Sequence, residues 1–177
     1  MEIIEGELRR LRSGPRAEDG GLRPFLVRVR FAAQDPAQVV ARARAVLTGV
    51  VERVGDWPPE ERWPQLLPPW FVRRCAPEPG PDEALDAEAW LRQWRAMTPQ
   101  QRAAACDGPW TLRNWLHYFD PTEGGGSRDR SWWWWDAGTD GPEAGWVQVA
   151  TDGWPFGSGS LSWLIKAGGG TDLDYGP

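Results

Sequence analysis

A chain of 177 residues with 41% hydrophobic side chains is sized for one ordinary domain with its own core and excludes two independent cores. It contains no run of about 18 apolar residues, which excludes a bilayer-spanning helix. The formal net charge of −5 is uneven, +3 over residues 1–54 and −8 over the rest, and an acidic body of this kind repels a nucleic-acid backbone while suiting a basic partner.

Lys166 is the only lysine, and the wealth of Arg, Ala, Gly, Pro and Trp reads as a high-GC bacterial genome before it reads as a function. The start, Met1 to Glu5, lacks a basic stretch followed by an apolar one, so no secretory leader is expected and the cytoplasm is the expected location. Cys75 and Cys106 stand alone, which fits two reduced thiols.

In chain order, Ile3 to Leu11 is a weak strand candidate that the Gly-rich, charged stretch 12–21 folds back as a hairpin onto Leu22 to Phe31. The latter alternates cleanly, with Phe25, Val27, Val29 and Phe31 on one face. Asp35-Pro36 starts a helix whose apolar positions, Val39 to Val54, recur at three-and-four spacing until Gly55. Residues 56–82 are rich in proline and hold only short turns, pinned by Trp57, Trp63 and Trp70.

Asp86 to Met97 reads as a helix with Trp90 and Trp94 on its core side, and Thr98-Pro99-Gln100-Gln101 is a capping box for the next one. Trp110 to Phe119 is a further helix, and residues 120–130 are turns. Trp132 to Trp135 and Trp146 to Ala150 are strands joined across Asp140-Gly141-Pro142. Ser158 caps a last helix stopped by Gly168 to Gly170, and residues 171–177 are expected as a mobile tail. The sum is an α+β fold, a small antiparallel sheet of about four strands covered by helices, in one globular domain over residues 1–170.

Catalytic motifs are scarce. His117 is the only histidine and has no local nucleophile or orienting group, and Gly157-Ser158-Gly159-Ser160 matches neither a nucleophile elbow nor a P-loop. No cofactor or metal is expected. Asp120, Glu123, Asp129, Asp136, Asp140 and Asp152 gather near the second hairpin, and turn chemistry explains Asp120-Pro121, Asp140-Gly141 and Asp152-Gly153. Asp136 closes the tryptophan run, where indole rings beside a carboxylate would raise its pKa.

The 14 tryptophans most need explaining. Four in a row on one strand put two rings on each face, so Trp133, Trp135 and Trp154 are expected near the surface, where exposed aromatics act as interface hot spots. Trp132 to Ala137, with Gly153-Trp154-Pro155 and Leu161-Ser162-Trp163-Leu164, resembles the tail of small uncharacterised bacterial proteins with no attached activity. In general character the chain is similar to immunity proteins of bacterial toxin systems.

These features lead to a non-catalytic protein-binding module, immunity- or antitoxin-like, that masks a basic protein. Its expected surface is Trp133, Trp135 and Trp154 surrounded by Asp129, Asp136, Asp140 and Asp152. The alternatives are a carboxylate- or metal-dependent hydrolase, in which Asp120 and Asp136 converge, and a small-molecule sensor with an aromatic pocket between sheet and helices. Self-association through Arg9, Arg10, Arg12, Arg28 and Arg30 is a further expectation.

Overall fold

The apolar alternation beginning at Phe25 becomes β1 (Phe25–Ala32), with Val27, Val29 and Phe31 buried and Arg30 exposed. In this computed structural model, which describes residues 2–22, 25–80, 87–98, 100–101, 108–122 and 125–176, β1 is a central strand. It pairs with β3 (Ala144–Thr151) on one side and β4 (Thr171–Gly176) on the other, and β2 (Trp132–Thr139) flanks β3. The sheet order is β2-β3-β1-β4, antiparallel throughout. The fold is α+β, as expected.

One sheet face meets the helices. Asp35 accepts the Gln38 N–H at 2.9 Å to start α2 (Pro36–Val51), whose Val39, Ala43, Val46, Leu47 and Val50 are buried with Val27, Val29, Val147 and Val149 in one core. Beside it lies α7 (Gly159–Gly168), which contributes Leu161, Leu164 and Ile165 and ends at Gly169, whose φ of 111° suits a residue without a Cβ. Ser158 stands at its start, but its side chain makes no capping bond. In the proline-rich segment the expected short turns form α3 (Trp63–Leu66) and α4 (Pro69–Arg74).

Further along are α5 (Ala87–Ala96) and α6 (Leu112–His117), the latter capped by Thr111 accepting the Asn114 N–H. The capping box is real: Thr98 N–H donates to the Gln101 side chain at 2.9 Å and Gln101 N–H to the Thr98 hydroxyl at 3.2 Å. Residues 102–107 lie outside the described part, as does the Trp90 side chain, while Trp94 is half-buried. Aromatic rings of Phe71, Trp115, Phe119 and Trp132 stack in a column with centroids 4.7 to 6.0 Å apart. Ser160 satisfies two of these indoles, its carbonyl accepting from Trp115 at 2.9 Å and its hydroxyl from Trp132 at 3.0 Å.

Two expectations are corrected. Ile3 to Leu11 is not a strand but α1 (Glu2–Ser13), because Ile4, Glu7, Leu8 and Leu11 share one helical face and that face packs on α2 and β2. The expected tail is β4, an edge strand held to β1 by main-chain pairing, with the Tyr175 hydroxyl bonded to Ser162 of α7. The strand total therefore matched while its membership did not.

The same helix seals the free edge of β2. Glu7, fully buried, accepts the Trp134 N–H at 2.8 Å and pairs with Arg130 at 2.5 Å, while Arg130 donates to the Trp132 carbonyl at 3.0 Å. Arg10 donates to the Trp134 carbonyl at 3.2 Å and faces Asp19, which also binds Arg9. An open strand edge is a pairing hazard, and here charged side chains occupy it. Arg12 pairs with Glu52, Arg28 lies 4.2 Å over the Trp146 ring, and Arg30 reaches Asp174 at 3.7 Å. The arginines proposed for self-association are thus already engaged within the chain.

Candidate functional site

The residues expected to form one aromatic and acidic patch are dispersed. Trp134 opposes Val149 and Asp136 opposes Gln148, so two steps on β2 match one step on β3 and Trp135 is the inserted residue of a bulge. The bulge breaks the alternation that would have put Trp133 and Trp135 on one open face. Trp135 is buried, at 7% exposure, with the Arg10 guanidinium 4.5 Å over its ring, whereas Trp133 is half-buried on the outer face of the sheet beside Ala150.

Trp154 is 49% exposed in the loop after β3, next to Phe156 at 6.0 Å. Asp140 sits in the turn joining β2 to β3 and Asp152 at the far end of that hairpin, about 24 Å away at strand rise. Asp136 is held at the β2 edge, accepting the Ala137 N–H at 2.8 Å and facing Arg44 at 3.7 Å. The Asp129 side chain lies outside the described residues. Asp120 lines a recess elsewhere, so Asp120 and Asp136 do not converge, and among the described residues no group of three or more His, Cys, Asp or Glu is placed to hold a metal ion.

A different set of residues does come together, in the helical layer. Residues 57–62 and α6 enclose a recess of 390 Å³ whose floor includes Trp57, Trp63 and Leu116 and whose rim includes Glu60, His117 and Asp120. A second recess of 470 Å³, floored by Val72, Leu112 and Leu116, adjoins it and adds Glu61 and Glu78. Glu60, Arg113 and Leu116 belong to both, which makes one groove. The Trp57 and Trp63 rings lie 4.6 Å apart, and Trp63 is buried beneath.

Local chemistry explains this assembly. Pro58 and Pro59 precede a turn at Glu60–Arg62 and prevent the segment from continuing as helix or sheet, so Trp57 lies back on the core. The Ala76 N–H donates to the Trp110 carbonyl at 2.9 Å, and Glu78 accepts the Arg113 N–H at 2.8 Å near the start of α6, which ties both walls together.

Electrostatically the groove is acidic: Glu60, Glu61, Glu78 and Asp120 face Arg113 as the lining arginine. Arg113 pairs with Glu60 at 2.5 Å and reaches Glu78 at 4.0 Å, with more than half of its side chain exposed. Asp120 accepts from the Thr122 N–H and hydroxyl, and among the described residues neither Asp120 nor Glu61 has an ion-pair partner. Cys75 lines the groove as a half-buried thiol pushed up to about 11, chiefly by desolvation.

Sequence reasoning missed this groove. The available signal was Trp57-Pro58-Pro59-Glu60-Glu61, an aromatic followed by a rigid turn and two acids. Comparison with protein-family models, with curated proteins and with solved structures gave no match.

Proposed function

We propose that the protein is a non-catalytic binding module that receives a basic segment of a partner protein in the groove around Arg113. The observation that carries this reading is the pairing of an apolar floor, Trp57, Trp63 and Leu116, with four rim carboxylates, Glu60, Glu61, Glu78 and Asp120. Aromatic floors supply contact area, and complementary charge supplies orientation and rate of encounter. An exposed ion pair is worth about 0–1 kcal/mol, so a partner cation displaces Arg113 from Glu60 at small cost. An immunity-like role, in which the bound protein is a basic toxin, is the specific form this reading takes.

The test is an array of 12-residue peptides spanning net charges from negative to positive, probed with the tagged protein. The expected hits are net positive, lose at least tenfold in affinity for the Glu60→Gln/Glu61→Gln protein, and weaken as salt rises. Retention of neutral or acidic peptides, or equal affinity for the variant, refutes the reading.

A further inference from the structure

Three arginines converge at another place on the surface, remote in chemistry from the acidic groove. Arg42 of α2 and Arg73 and Arg74 of α4 line, with Trp70, a recess of 200 Å³. Arg42 is fixed there: its Nη1 donates to the Gly168 carbonyl at 3.0 Å, and its guanidinium lies 5.2 Å from the Trp70 ring centre. Arg73 and Arg74 have no acidic partner among the described residues. In a chain of net charge −5, where Arg9, Arg12, Arg30, Arg113 and Arg130 each face a carboxylate, this recess gathers three arginines that have no acidic partner among the described residues.

The end of α4 accounts for part of it, because cations are favoured in the last turn of a helix. It does not account for Arg42, which comes from another helix. Like charges held together cost free energy that a bound anion recovers, and the guanidinium fork matches phosphate oxygens in pairs. Arg42 also borders a second recess of 530 Å³ that carries Gln38, Glu143 and Thr171, groups suited to hydroxyls rather than to a second phosphate.

We infer that this is a binding site for a small phosphate ester, the phosphate between Arg42, Arg73 and Arg74 and a hydroxylated body against Gln38, Glu143 and Thr171. The inference is independent of the groove, since no residue is shared.

The experiment follows thermal unfolding of the full chain by intrinsic fluorescence, titrated with inorganic phosphate and with ribose 5-phosphate against chloride at matched ionic strength. Both ligands should raise the midpoint, ribose 5-phosphate at lower concentration. The exposed pair Arg73→Ser/Arg74→Ser should weaken both responses at least tenfold, as should Arg42→Gln, with circular dichroism confirming the fold, while Arg16→Ser/Arg128→Ser leaves them intact. No rise in the wild-type protein, or an undiminished rise in the Arg73→Ser/Arg74→Ser protein, overturns the site. Equal response to the two ligands overturns the part assigned to the neighbouring recess.

Discussion

Replacing Glu7 by Ala removes one member of a buried ion pair and two hydrogen bonds at once. Arg130, with 4% of its side chain exposed, would keep its bond to the Trp132 carbonyl but lose the Glu7 carboxylate, and the Trp134 N–H would lose its acceptor. Breaking a buried pair from one side costs about 3–5 kcal/mol, and an orphaned buried N–H about 1–3 kcal/mol. These overlap, so we expect a loss of about 4–5 kcal/mol, or roughly 8–20 °C in Tm for a chain of this size. Urea unfolding of Glu7→Ala, Arg130→Met and the double variant, followed by fluorescence, measures it. The double variant should be more stable than the two single losses added together, by about 2 kcal/mol or more, because neither charge is then stranded. A Glu7→Ala loss under about 1 kcal/mol, within the usual range of a surface change, would refute the claim that α1 seals the β2 edge through this pair.

The bulge predicts a contrast between neighbours: Trp135→Ala should cost about 3–5 kcal/mol as a core truncation and half-buried Trp133→Ala about half as much, read by the same unfolding curves. Asp19 is held below the usual carboxylate range, first by its bond from Arg9 and then by the Arg16 N–H, against the opposing effect of burial. A depressed pKa contributes stability above the unfolded value of about 4 that is lost as pH falls through the lower folded value, so Asp19→Asn should flatten the stability profile below about pH 4. With its thiol pushed up to about 11, Cys75 in a Cys106→Ser background should react with iodoacetamide at pH 8 on the order of a hundredfold more slowly than a free thiol, and a comparable rate would contradict its burial.

Elements whose burial is written in their own spacing were legible: β1 in its alternation, α2 in Asp35-Pro36 and its valines, and the Thr98 capping box. The α1 error arose because Glu7, a charged residue, occupies the core-facing helical position, where it serves the β2 edge rather than the apolar core. Nor was β4 readable, since Thr171, Asp172 and Asp174 on an exposed edge lack an apolar face and owe their conformation to main-chain bonds with β1. The bulge at Trp135 depends on register with β3, which is a property of two strands and not of either sequence alone. For the groove the difficulty is greater: Trp57, Glu78 and Asp120 are far apart in the chain, and only the packing of α3, α4 and α6 brings them to one recess or its neighbour.

The proposal that a basic segment docks at the groove, and not at the open sheet face, is tested most directly by the indole N–H resonances of the protein titrated with a basic peptide taken from the array. With each resonance assigned by single substitution, the Trp57 signal should shift in proportion to occupancy while those of Trp133 and Trp146 stay fixed. Movement of Trp133 and Trp146 with Trp57 unchanged would contradict the account and return the binding surface to the outer face of the sheet.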